Sequence, residues 1–177
     1  MIARPESWRA VNEAVYYTDQ PVAGLGTPAV RHLIDMLPHT PRQRVRVCTH
    51  RDAETALQEM MIVLGAGGYV RPHRHHGKEE SLHVIEGRAN LVLFDLQGEV
   101  TEHIQLGPYG SSACWYFRIG EPVFHTVIPE TDCFVFHETT LGPFEKSATE
   151  MAPWAPEDEQ IDGWHEYNES LKRKLGI

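Results

Sequence analysis

The sequence predicts an all-β sandwich or barrel with a short helix at each end. Three observations point to it. Between residues 44 and 137, short apolar or alternating runs recur; glycine, proline and other turn-forming residues close each run; and no helical period appears there. Short strands at this spacing, divided by turn residues, are the pattern of sandwiches and barrels.

Residues 1 to about 26 show no clear period and read as partly extended. Thr27 and Pro28 then open a short helix, because Thr suits the N-cap and Pro the first helical position. Val30, Leu33, Ile34 and Leu37 fall on one face of it, and Pro38 and Pro41 stop it. The expected strands are 44–49, 57–64, 81–86, 89–96, 112–119, 123–128 and 133–137. Breaks such as 65–68, Gly87, 97–98, 107–108, 120–122 and 129–132 separate them. After Asp162 a C-terminal helix is expected, with Trp164, Tyr167, Leu171 and Leu175 on one face. Lys172, Arg173 and Lys174 complement the dipole of its last turn and Gly176 caps it. The chain thus divides into an extension with a helix (1–40), a β-barrel (41–145) and a helical C-terminal segment (146–177).

At 177 residues the chain has the size of one domain. Its formal net charge of −9 argues against nucleic acid or an anionic membrane as the main partner. Cys48, Cys114 and Cys133 are too few and too scattered for a disulfide framework, and free thiols fit a reducing compartment. Residues 1–21 carry Arg4, Glu6, Arg9, Glu13 and Asp19 and lack the apolar core of a signal peptide, so a cytoplasmic location is expected.

Eleven histidines is a high count, and several of them cluster. Residues i and i+2 of a strand project to the same side, so His73 and His75 point together, about 7 Å apart at the backbone. Glu80, five residues later, would face away in one straight strand, and Gly77 supplies the turn that returns it. His125, in a later strand, offers a fourth ligand from across the barrel. Three imidazoles and one carboxylate suit Fe, Mn, Zn, Ni or Co as the divalent ion, not calcium. Four protein ligands on an octahedral ion leave two positions for substrate or oxygen.

The frame Gly67, His73, His75, Glu80, Gly87 resembles the first signature motif of the cupin superfamily, with all five anchors present. The second cupin motif usually reads Pro-x-Gly-x-x-His followed by Asn. Here Gly120, Glu121, Pro122, Val123, Phe124 and His125 stand in its place, with Pro129 where the Asn would be. Segments 39–42, 69–75, 94–100, 142–144 and 154–157 look most like WbuC-type cupin-fold metalloproteins. The resemblance implies a double-sheet jelly-roll β-barrel with a metal site, a homodimer, and an association with surface-polysaccharide metabolism. It also favours Glu80 over its neighbour Glu79 as ligand, as strand parity does.

If the 129–132 loop is a hairpin centred on Thr131, His137 lies opposite His125 and could move a proton; a one-residue change would put Phe136 there instead. Tyr69 shares the parity of His73 and could reach a ligand, or could simply pack. Arg46 could enter the barrel and clamp an anionic group. His83 is expected outside, His76 solvated, and Arg71 and Arg74 on the outer side, paired with acids. No nucleophile elbow, phosphate loop or Cys-x-x-Cys zinc site is present. Three functions therefore stay open: a metal-dependent isomerase or epimerase acting on a sugar or nucleotide-sugar, an Fe(II) oxygenase, and a metal-assisted module that binds a small-molecule ligand.

Overall fold

The computed structural model describes residues 5–40 and 42–177. Pro41, expected to help stop the first helix, lies outside them. Two sheets face each other in a double-sheet jelly roll. One runs in the order β1 (Arg9–Asn12), β2 (Val15–Tyr17), β3 (Arg44–Cys48), β4 (Leu57–Gly65), β11 (Cys133–Leu141), β6 (Glu80–Glu86), β9 (Tyr116–Ile119). The other runs β12 (Thr149–Met151), β5 (His73–His75), β10 (Phe124–Pro129), β7 (Ala89–Phe94), β8 (Val100–Leu106). From β4 to β7 the chain changes sheet at every step, and again from β8 to β11. A short helix flanks the strands at each end, α1 (Thr27–Met36) and α2 (Ile161–Leu175).

Strand alternation sorts the buried apolar side chains of the sheets into three layers. Ile62, Leu64, Leu91, Leu106, Phe134 and their neighbours fill the space between the sheets. Val45, Val47, Val63 and Val135 point outward and are covered by Leu33 and Leu37 of the first helical segment. On the far side, Val92, Phe94, Phe124 and Ile128 meet Ala152, Ala155 and Leu171, with Tyr167 and Leu175 packed alongside. Both terminal helices thus exist because each covers the outer apolar face of one sheet. Helix α1 begins one residue earlier than expected, with Gly26 in the capping position. Helix α2 ends on Gly176 in the left-handed conformation, as its sequence implied.

Three short strands and one long one have no counterpart in the sequence reading. β8 is half exposed, and its alternation of Val100, Ile104 and Leu106 with polar residues is weak in apolar content. β1, β2 and β12 span only three or four residues each and exist through pairing with neighbours.

Gly87 turns the chain between β6 and β7 at φ +84°, and a Cβ there would lie 2.2 Å from the Cys133 carbonyl oxygen. Gly87→Ala should therefore destabilise the fold by more than the roughly 1–2 kcal/mol of the left-handed conformation alone. A urea midpoint unchanged from wild type would refute this account.

Candidate metal centre

β5 places His73 and His75 on the inner face of its sheet, and β10 lies directly beside it with His125 paired to His73. One ring nitrogen from each of the three histidines falls within 4.8 Å of the others. His125 is thus the immediate neighbour of His73, not a ligand from across the barrel. The residue that comes from across is Glu80. Gly77, at φ +65°, turns the chain out of β5, and β6 begins in the opposite sheet. Glu80 there faces the histidines, with Oε1 2.7 Å from His125 Nε2 and Oε2 3.4 Å from His75 Nε2. Glu79 points outward and pairs with Arg118.

Outer contacts orient the rings. His73 Nδ1–H donates to the Arg71 carbonyl at 2.8 Å and His125 Nδ1–H to the Val123 carbonyl at 3.0 Å. A carbonyl only accepts, so each of these bonds places a proton on Nδ1 and turns Nε2 inward. His75 Nδ1 lies 3.0 Å from Thr149 Oγ1, on the adjoining strand β12. Ligating histidines are held in this way, by a partner on the nitrogen away from the ion.

The electrostatics agree. Burial, helped by the neighbouring His125, pushes the His73 pKa down to about 3, which keeps its imidazole neutral. Burial opposes ionisation of Glu80, but hydrogen bonds from His125 and His75 outweigh it and hold the carboxyl well below its usual range. Burial would likewise depress His125, yet the Glu80 hydrogen bond and charge raise it. A neutral imidazole, two more imidazoles and an ionised carboxylate form a donor set that fits a divalent transition ion.

The four residues open onto a cavity of about 200 Å³ between the sheets. Arg46 lines it, together with Arg44, Gln58, Glu138 and His50. Arg44 and Glu138 escaped the sequence reading. β11 continues four residues beyond the expected end at 137, and the same alternation that turns Phe134 and Phe136 inward brings Glu138 in. Arg44 shares the parity of Arg46.

Two expectations are corrected. β10 and β11 belong to different sheets, so no hairpin sets His137 against His125. His137 instead pairs with His83 and Met61, its ring 3.8 Å from Glu59, while Phe136 and Glu138 line the cavity. Tyr69 is buried away from the histidines. It stacks on Trp164 with ring centroids 5.3 Å apart and donates its hydroxyl to the Pro156 carbonyl, so it fastens α2 to the sheet. On the outer side, Arg74 pairs with Glu150, as does His76.

Glu138 offers a test by pH. Burial, reinforced by the Glu80 charge and only partly opposed by Arg44 and Arg46, raises its pKa above the ordinary 4.5. The folded state then binds more protons than the unfolded one as pH rises through 4.5, so this group costs stability above that pH and none below it. Glu138→Gln should raise the melting temperature of the metal-free protein at neutral pH and leave it nearly unchanged at acid pH. Equal effects at both would contradict the burial argument.

Residues 27–106 match a family model described as a domain of unknown function (DUF6016). No curated protein matches the sequence. Among solved structures, protein SO0799 of Shewanella oneidensis is similar at 17% identity and a TM-score of 0.48, covering 72% of this chain and 79% of that one. The capsular polysaccharide assembling protein CapF of Staphylococcus aureus is similar at 18% identity and a TM-score of 0.45, over 55% of this chain and 27% of that one. The Cnp3 cupin domain of Schizosaccharomyces pombe is similar at 10% identity and a TM-score of 0.44, over 56% of this chain and 64% of that one. Among the described residues no helix is long and apolar enough to cross a membrane.

Proposed function

We propose that this chain is a divalent-metal-dependent enzyme of the cupin type that acts on a small molecule. The observation that supports it is the convergence of His73, His75 and His125, within 4.8 Å of one another, at the wall of a cavity between the sheets. These three and Glu80 would hold the ion. Once bound, it would supply a Lewis acid able to polarise a carbonyl or hydroxyl.

The chain's own residues would do the rest. Arg46 presents donors to the substrate, and Glu138 stands where a proton could be moved, the role expected of His137. The resemblance to WbuC-type proteins carries the further reading of sugar chemistry in surface-polysaccharide metabolism. A cavity of about 200 Å³ is smaller than the sites that enclose drug-sized ligands, which favours a single sugar or a smaller body over a whole nucleotide-sugar.

Elemental mass spectrometry on untagged protein tests the reading. Near one equivalent of Mn, Fe, Zn, Ni or Co is expected. Iron together with oxygen consumption would redirect the proposal to an oxygenase, and no metal after reconstitution would end it.

A further inference from the structure

On the surface, Arg9, Arg31, Arg42, Arg74 and Arg118 each pair with a carboxylate. Arg44 and Arg46, which line the cavity, make no side-chain hydrogen bond and no salt bridge among the described residues, and Arg46 Nε is fully buried without a partner. They sit at i and i+2 on β3, so two guanidinium groups project from one face about 7 Å apart at the backbone. Like charges so placed repel, and a buried donor left unmade is costly. Lys78 adds a third cation to the lining, against the two carboxylates Glu80 and Glu138. Within a chain of formal charge −9, this cavity is cationic even before an ion binds.

We propose that the cavity binds a short organic carboxylate, whose carboxyl group is clamped by Arg46 and Arg44 while its other end reaches the histidine cluster. The planar fork of a guanidinium matches a carboxylate bidentately and is the residue type expected at such a site. The volume suits an acid of a few carbons: about 200 Å³ is roughly the share of seven water molecules. The inference rests on the metal-dependent reading only for the far end of the ligand. The arginine end stands on its own geometry.

Calorimetric titration of the full chain with succinate, and separately with inorganic phosphate, tests it in metal-loaded and metal-free protein. Saturable binding of succinate by the wild type is expected in both forms, tighter with metal. Arg46→Gln should weaken it by about tenfold or more, the loss of a charge-assisted bond, with metal content unchanged. Arg46→Lys, which keeps the charge and loses the fork, should fall between, and a cooperative melt of each variant shows that it is folded. Succinate binding that is absent at millimolar concentration, or equal in wild type, Arg44→Gln and Arg46→Gln, overturns the proposal. Arginine-dependent binding of phosphate without succinate overturns the carboxylate assignment. Arginine-dependent succinate binding in a protein that takes up no metal would sustain this proposal while the metal-dependent reading fails.

Discussion

His73→Ala should abolish stoichiometric metal binding, taking the protein from near one equivalent to none under the same reconstitution. His73 is the ligand most completely prepared by its surroundings. Its Nδ1–H is committed to the Arg71 carbonyl, its ring lies 4.5 Å from that of His125, and burial keeps it neutral at any physiological pH. A neutral imidazole needs no proton removed before it ligates. Alanine removes the donor and leaves two histidines and a carboxylate that already bond one another. Loss of an outer partner typically costs ten- to hundredfold in metal affinity, so loss of a ligand should cost at least about a hundredfold. His75→Ala should behave alike. The adjacent His76 is the control: it faces outward onto Glu150, and His76→Ala should keep the full equivalent. Metal retained by His73→Ala, or lost equally by His76→Ala, would show that the ions bind elsewhere.

The largest loss of stability is expected from Phe134→Ala. Phe134 has no solvent exposure and is the largest fully buried side chain, standing between the sheets on β11 against Phe136, whose ring centroid is 5.2 Å away. β11 is flanked by β4 and β6, so no edge is available for the chain to shift toward and fill the void. Truncation of a buried Phe costs about 3–5 kcal/mol, and in a chain of this length the melting temperature should fall by roughly 6–20 °C. Tyr109→Ala, at a position 80% exposed, should shift stability by no more than about 0.5 kcal/mol. Scanning calorimetry distinguishes the two. Metal content measured well below the melting temperature should be unchanged in Phe134→Ala, because the histidines sit at the other end of the sandwich interior. Comparable losses from Phe134→Ala and Tyr109→Ala would contradict this assignment of the core.

What the sequence by itself determined is local. Strand parity placed His73 with His75 and put Arg74 outside, and the helical period placed apolar stripes on both terminal helices. Gly77 marked the turn before Glu80, and Gly87 the turn after it. Each of these follows from covalent geometry over a few residues: a period of two in strands, 3.6 in helices, and the freedom of glycine at positive φ.

The tertiary structure alone decided which strands are neighbours. It set His125 beside His73 rather than opposite, brought Glu80 from the facing sheet, and sent β10 and β11 into different sheets, so that His137 faces away and Glu138 faces in. It also gave Tyr69 to the packing of α2 and left Arg44 and Arg46 without a side-chain hydrogen bond or salt bridge among the described residues. The physical reason is that pairing depends on burying both faces of each sheet at once. That is a sum over distant residues, so a loop such as 129–132 can serve a hairpin or a crossing between sheets with the same local sequence.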